Sequence, residues 1–400
     1  MGDGGYIPVG IDSIRNATGS CVLSLDDLAD ARDIPRAKFS SGLGQDEMSV
    51  LAPHEDVITM AAEACRSVLE AGLRYPLRTL IFATESGVDQ SKAGAVFLHR
   101  LLGLDPRVRA LEVKQACYGA TGALILAAAL CRANPTESVL VVASDNARYE
   151  LLSGGEPTQG AGAVAMLVTS NPRVLELDPV SGLHTSDVDD FWRPNYRSTA
   201  VVDGKLSVDA YLDAVRQCWR DYTQRGGFPL GEIERICFHQ PFTKMARKAY
   251  TALVAEAGDG DDTFRRLNDT LDYNRRIGNS YTASVYFALA NVLEQGTLRD
   301  GDRVGLFSYG SGCVAEFTSG RVVDIDSPGI DRSKTIENLE RRTPITVADY
   351  ELIHKQLGET EEVLGAVNVR PRGTASVRVG AGGFRYLGTY DHVRRYEKVR

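Results

Sequence analysis

Several things are missing from this 400-residue chain, and each absence excludes a class of protein. The longest apolar run, Ala123-Leu124-Ile125-Leu126-Ala127-Ala128-Ala129-Leu130-Cys131, falls far short of the ~20 residues needed to span a bilayer, so no membrane helix is expected. Met1-Gly2-Asp3-Gly4-Gly5 has neither a basic region nor an apolar core, so a signal peptide is not expected either. There is no basic excess: 45 Lys plus Arg stand against 53 Asp plus Glu, a net charge of -8, which argues against nucleic acid as a partner. The seven cysteines are odd in number and contain no C-x-x-C, which points to reduced thiols in a cytoplasmic protein. No Walker motif, dinucleotide fingerprint or metal-ligand cluster is present, so neither a cofactor nor a metal is expected.

What is present is a globular composition, 43% hydrophobic and 24% charged, long enough for two or three domains at ~150 residues each. Thr79–Ala83 and Ser138–Ser144 read as buried strands, with an Ala- and Leu-rich helix between them from about Tyr118 to Cys131. Strands alternating with helices indicate an α/β fold around a buried sheet. A faint internal duplication runs through this pattern. A strand ending at Thr84 and leading to Glu85 is echoed by Glu234–Phe238 leading to His239. Gln115-Ala116-Cys117-Tyr118, opening a small-residue helix, is echoed by Gly278-Asn279-Ser280-Tyr281, opening a helix over Thr282–Leu293. Gly160–Met166 is echoed by Gly310–Glu316. The echoes keep their order, dividing the chain into halves at 1–170 and 171–400. The stretch 182–211, with Phe191-Trp192-Arg193-Pro194 and Val202-Asp203-Gly204-Lys205 as loops, interrupts the second half like a cap over a substrate site. Beyond Asp324 the charged tail reads as solvated surface.

The residues able to do chemistry fall on the echoes. Cys117 sits at the start of a helix, where the macrodipole and free N–H groups should stabilise thiolate and lower its pKa below ~8.5. The same N–H groups could hold an oxyanion, although a buried structural cysteine would show the same local sequence. His239 follows a buried strand and precedes Pro241, which turns the chain out of the sheet at the end where α/β proteins place their sites. Glu85 is either a helix-capping partner or a base facing a cleft, where partial desolvation would raise its pKa. Ser308-Tyr309-Gly310-Ser311-Gly312 is a glycine-rich turn that could bring backbone N–H groups to a ligand. Lys244 and Lys248 share one face if their segment is helical, where they would bind phosphate or simply be solvated.

Taken together, these motifs resemble the hydroxymethylglutaryl-CoA synthases of the thiolase superfamily, in their compact bacterial form. The resemblance runs from Val9 to at least Val323, more faintly beyond. It rests on Gly44-Gln45-Asp46-Glu47-Met48, Ala83-Thr84-Glu85-Ser86, Lys114–Thr121, Gly155–Gly162, Asp190-Phe191-Trp192-Arg193-Pro194, His239–Met245, Gly278-Asn279-Ser280-Tyr281-Thr282 and Phe307–Gly312. It implies a five-layer αβαβα sandwich of two related halves, which fits the duplication, and a homodimer. It places the family's catalytic Glu, Cys and His on Glu85, Cys117 and His239. Cys117 would carry acetyl from acetyl-CoA, and Glu85 would deprotonate its methyl group. His239 would orient acetoacetyl-CoA, and the N–H groups of Cys117 and Ser311 would hold the oxyanion. Asn279, Ser311, Lys244, Lys248, Tyr149 and Thr158 would bind substrate.

Three related enzymes compete: the synthase of the mevalonate pathway, the polyketide β-branching synthase that uses acyl-carrier-protein substrates, and ketoacyl-carrier-protein synthase III. Glu85 with Phe191-Trp192-Arg193-Pro194 disfavours the third, which has a Cys-His-Asn triad. Gly44–Met48 and Pro241–Met245 resemble the CoA enzymes more closely than the carrier-protein ones, although a carrier's phosphopantetheine would also suit Lys244. A binding or scaffold protein on the same fold would not need all three competent residues.

Overall fold

Two sets of strands, each opened by a long strand and closed by a hairpin-like return, are joined edge to edge in one nine-stranded sheet. The computed structural model describes residues 6–260, 263–295, 297–362, 368–372 and 383–399, so Met1–Gly5, on which the expectation of no signal peptide rests, and Arg400 lie outside the described residues. The first half holds β1 (Val9–Thr18), β2 (Leu77–Ala83), β3 (Arg109–Val113), β4 (Ser138–Asn146) and β5 (Ala161–Ser170). The second holds β6 (Leu175–Thr185), β7 (Arg235–Phe238), β8 (Arg303–Gly310) and β9 (Val314–Val322).

The pairing within each set is the same. β1 is antiparallel to β5, β5 to β4, and β4 is parallel to β2, with β3 outermost. β6 is antiparallel to β9, β9 to β8, and β8 is parallel to β7. The duplication read from three short echoes is therefore a duplication of strand order and sense. β2 and β7, whose ends carry Glu85 and His239, occupy equivalent places in the two halves.

Successive side chains of a strand face opposite ways, and the buried clusters divide accordingly. Ile81 and Ala83 of β2 point into a central core, whereas Leu80 and Phe82 point outward. Cys237 and Leu306 likewise face the centre while Ile236, Phe238 and Phe307 face out. The outer face of the first half is covered by α1 (Val57–Glu70) and α2 (Gly94–Leu101). That of the second is covered by α4 (Gly204–Gln224) and α5 (Lys244–Ala257), with α3 (Gly119–Ala133) and α6 (Ser284–Glu294) between the sheets. This gives the five layers expected.

A helix between two sheets must be apolar all round. All eleven residues of α6 are buried. The 18 residues Ala116–Ala133 meet the length and apolarity of a membrane span, contrary to the expectation from run length alone, but half of that stretch is buried inside the fold, where α3 packs one face against the central core.

Two readings of irregular segments are corrected. Residues 182–185 continue β6, and α4 begins at Gly204 with Asp203 as its N-cap, so the interruption is confined to about 186–203. Within it Phe191–Trp192 and Val201–Val202 form a small antiparallel ribbon rather than loops. The charged tail is not merely solvated. Tyr350 and Ile353 of α7 (Val347–Glu362) are buried, and a C-terminal hairpin, Gly383–Tyr390 with Val393–Val399, packs Phe384, Tyr386 and Tyr396 over the first half.

Candidate active site

Two close approaches bring the halves together, and each depends on a glycine. A side chain at Gly310 would lie 2.5 Å from the carbonyl of Gln115 and 2.7 Å from the N of Tyr118. One at Gly160 would lie 2.4 Å from the carbonyl of Ile277 and 2.8 Å from that of Asn279. Each half's glycine-bearing turn thus receives the turn that precedes the other half's central helix. On the first side Gln115 Nε2 also donates to the carbonyl of Ser311 at 3.3 Å, which sets the Ser311 turn against that of Cys117. On the second, the N–H of Asn279 donates to the carbonyl of Thr158 at 2.9 Å.

Cys117 lies two residues before the first residue of α3, after Ala116 in the left-handed region at φ 41°. Its thiol donates to Oε2 of Glu85 at 3.4 Å. Buried with it are Tyr149 and Tyr281, and Phe191 packs on both rings edge-on at 6.0 and 5.9 Å. The Tyr149 and Tyr281 rings stand edge-on at 6.5 Å, and Asn279 Oδ1 accepts from the main-chain N–H of Tyr281 at 2.9 Å. Six of the expected residues, Glu85, Cys117, Tyr149, Thr158, Asn279 and Ser311, are therefore carried by contacting turns.

His239 comes from the second half, directly after β7. Its N–H donates to the carbonyl of Phe307 at 2.8 Å, and its own carbonyl accepts from the Tyr211 hydroxyl at 2.6 Å. The Tyr211 ring stands 6.4 Å from the imidazole, and its phenol is close enough to Cys117 to respond to its charge. His239 Nδ1 is buried with no hydrogen-bond partner, and burial pushes the imidazole pKa down to about 3. At neutral pH it is an uncharged imidazole.

Lys244 and Lys248 do share one face of α5, as their spacing predicts, but both are exposed and stand apart from this buried group. Lys244 Nζ donates to the carbonyl of Ser41 at 3.2 Å, and the ammonium of Lys248 lies 5.8 Å from the Phe242 ring.

The expectation of a thiol with a lowered pKa is overturned. Cys117 is pushed well above the ordinary thiol value, chiefly by burial, then by the nearby carboxyls of Glu85, Asp145 and Asp190. A helix N-terminus is worth at most ~2 kcal/mol, whereas a unit charge 4 Å away is worth ~4 kcal/mol at an effective dielectric of 20. The carboxyls win. Glu85 is itself pushed up to about 8, by burial first and Asp145 second, with Arg193 opposing.

Asp145 was not singled out from the sequence. It is the last residue but one of β4, fully buried, and its Oδ1 accepts from Thr84 Oγ1 at 2.7 Å, Glu85 N at 2.9 Å and Ser86 N at 3.0 Å. Its Oδ2 accepts from Thr282 Oγ1 at 2.6 Å and Thr282 N at 3.0 Å. One carboxylate thereby fixes the end of β2 to the start of α6, across the two halves. Asp190 does the same for the second glycine-rich turn, accepting from Gly312 N at 2.9 Å and Tyr309 Oη at 2.8 Å. The one available signal for Asp145 was an acidic residue at the end of a buried strand.

A thiol, a carboxyl with a high proton affinity and a neutral imidazole, all at the meeting of two pseudo-equivalent halves, are suited to acyl transfer followed by proton abstraction. The family model for the hydroxymethylglutaryl-coenzyme A synthase N terminal region matches residues 7–173, and that for the C terminal region matches 175–260 and 259–398.

The chain belongs to the hydroxymethylglutaryl-CoA synthase family.

It is 40% identical to the hydroxymethylglutaryl-CoA synthase of Enterococcus faecalis over 356 residues, covering 88% of this chain and 93% of that one. It is 34% identical to the polyketide biosynthesis 3-hydroxy-3-methylglutaryl-ACP synthase of Bacillus subtilis over 380 residues, covering 88% and 89%. Among solved structures it resembles a hydroxymethylglutaryl-CoA synthase complexed with CoA, with a TM-score of 0.89 at 38% identity over 98% of this chain and 100% of that one. Members of this family are acyltransferases that form a carbon–carbon bond, and the thiolase-like fold expected from the sequence is the fold observed.

Proposed function

We propose that the protein condenses acetyl-CoA with acetoacetyl-CoA and water to give 3-hydroxy-3-methylglutaryl-CoA and free CoA. The observation that carries this is the Cys117 thiol set 3.4 Å from the Glu85 carboxyl, with a neutral His239 whose buried Nδ1 has no hydrogen-bond partner following the equivalent strand of the other half.

In the first step the Cys117 sulfur attacks the acetyl carbonyl carbon, the bond to the CoA sulfur breaks, and the thiol proton leaves with free CoA. Separating transfer from condensation splits one difficult reaction into easier ones. Ionised Glu85 then takes a proton from the acetyl methyl group, and the N–H groups of Cys117 and Ser311 hold the enolate oxygen. The carbanion adds to the 3-keto carbon of acetoacetyl-CoA. Neutral His239 hydrogen-bonds to that keto oxygen, and the proton taken up by the new alkoxide balances the one Glu85 removed. Water finally adds to the Cys117 thioester, leaving a carboxylate product and a free thiol.

Tyr149, Thr158 and Asn279 line the thioester end, and Lys244 and Lys248 meet the phosphates of CoA at the surface. CoA is favoured over an acyl carrier protein by the greater identity to the Enterococcus faecalis CoA synthase, 40% against 34% to the carrier-protein enzyme. A homodimer in the cytoplasm, needing no cofactor and feeding the mevalonate route to isoprenoids, completes the reading. The test is to supply acetyl and acetoacetyl groups on CoA and on a carrier protein in parallel. Turnover on the CoA pair supports the proposal, and turnover on the carrier-bound pair alone overturns the CoA part of it.

A further inference from the structure

The segment between β6 and α4 is anchored at both ends of the site. Asp190 is fully buried and bonded to the Gly312 turn, and the main-chain N–H of Asp203 donates to the carbonyl of Asp190 at 3.0 Å. Phe191 is wedged against Tyr149 and Tyr281. Arg193 follows two residues later, and its guanidinium Nη2 donates to the main-chain carbonyl of Glu85. A guanidinium on the neighbouring carbonyl also lies within electrostatic reach of the Glu85 carboxyl and of the Tyr281 phenol.

The other groups facing Glu85 are the Cys117 thiol, the Asp145 carboxyl and the Tyr149 and Tyr281 phenols. Each of these, when charged, is an anion. Among the groups that act on Glu85, Arg193 is a cation that opposes them, and it comes from the segment that interrupts the duplication. We infer that Arg193 is a positioning residue for the carbon–carbon bond-forming step, holding the Glu85 backbone in register with Cys117 and keeping its carboxylate available as a base. The inference rests on the reading of Glu85 as that base.

Acetyl transfer passes the Cys117 proton to the leaving CoA sulfur and forms no carbanion, so Arg193 should matter to the condensation half-reaction more than to the other. The experiment uses the full chain with Arg193→Met and Arg193→Lys. Acetyl-Cys117 formation is followed by mass spectrometry, and condensation by loss of acetoacetyl-CoA over a range of pH. In Arg193→Met, acetylation should stay within about threefold of the parent while condensation falls by ~10-fold or more. Its rising pH limb should also move up by about one unit, the shift expected when an opposing charge is removed. Arg193→Lys should bring the limb back toward the parent position, because it restores the charge without the planar fork.

A limb that stays in place in a folded Arg193→Met protein would overturn the inference, as would equal losses in the two half-reactions. Those losses would mark Arg193 as a mere fastening of the segment. If the parent enzyme itself neither acetylates nor condenses, the fault lies with the reading of the site and not with Arg193.

Discussion

The thiol of Cys117 and the carboxyl of Glu85 are hydrogen-bonded at 3.4 Å, and both hold their protons more tightly than such groups do in water. Acetylation removes the proton of one partner and leaves the other to act on the new methyl group. Glu85→Gln keeps the shape, so acetyl-Cys117 should still form while overall turnover falls by roughly 10²–10⁴-fold. Acetyl-enzyme by mass spectrometry and condensation by loss of acetoacetyl-CoA are measured side by side. Parallel loss of both steps in a folded protein sinks the role of carbon base, and loss of neither leaves Glu85 a capping group. Cys117→Ala should abolish both, with no acetyl appearing on the other six cysteines, all of them buried.

Because Glu85 is held at about 8 rather than its ordinary 4.5, its ionised fraction grows through mildly alkaline pH. Condensation by the acetyl-enzyme should therefore rise with pH up to about 8 and level off above it. Stability follows the opposite course. The folded-state pKa is raised, so the unfolded chain releases this proton first, and the native state loses stability as pH climbs from about 4.5 toward about 8. Glu85→Gln removes that loss. Its melting temperature should match the parent's near pH 4.5 and exceed it progressively toward pH 8; a difference that does not grow with pH counts against the raised pKa.

Asp145→Asn tests the same electrostatics with the opposite sign. The Asp145 carboxylate raises Glu85, so its removal should lower the rising pH limb of condensation, the reverse of Arg193→Met. The amide can accept from only one side, and its NH2 would face the N–H of Thr282 that now donates to Oδ2, while the Thr282 hydroxyl can turn to accept from it. A buried donor left unmatched costs about 1–3 kcal/mol. The variant should melt several degrees lower, and an upward-moving limb would contradict the assignment.

Much of this was legible in the chain because the duplication repeats short signals in order. Glu85, Cys117 and His239 stood out in the sequence since each lies within two residues of a strand end or a helix start, positions that topology fixes. The proton affinity of Cys117 could not be read, since it depends on Glu85, Asp145 and Asp190, which lie 28 to 73 residues away in sequence. The role of Asp145 could not be read for the same reason, beyond its place near a strand end: its five donors come from Thr84–Ser86 and Thr282, on both sides of the fold. The extent of α4 has a local signal in the sequence. Tyr211, Ala214, Val215, Cys218, Trp219 and Tyr222 recur at helical spacing and form the buried face of α4, which extends the helix back to the Asp203 cap.

The last prediction concerns α3. One face of this helix is buried between the sheets, as its position requires, yet Ile125, Leu126, Ala129 and Leu130 on the other face are exposed or half-buried, with Leu126 53% exposed. These positions follow i, i+1, i+4, i+5, a continuous apolar stripe along a helix at the centre of the fold. Nearby, β3 forms the outer edge of the sheet with one side unpaired, a surface that invites strand pairing. A stripe of this kind on a central helix beside an open edge is suited to a second copy of the chain packed across a two-fold axis. An obligate interface of that type buries roughly 2,000–5,000 Å². Light scattering should give about twice 43.4 kDa at micromolar concentration. Leu126→Asp should shift the mass toward the monomer and lower the melting temperature, because a charge would be buried without a partner in the dimer. A parent protein that scatters as a 43.4 kDa monomer, or a Leu126→Asp variant with unchanged mass and melting temperature, would place the subunit contact elsewhere or remove it.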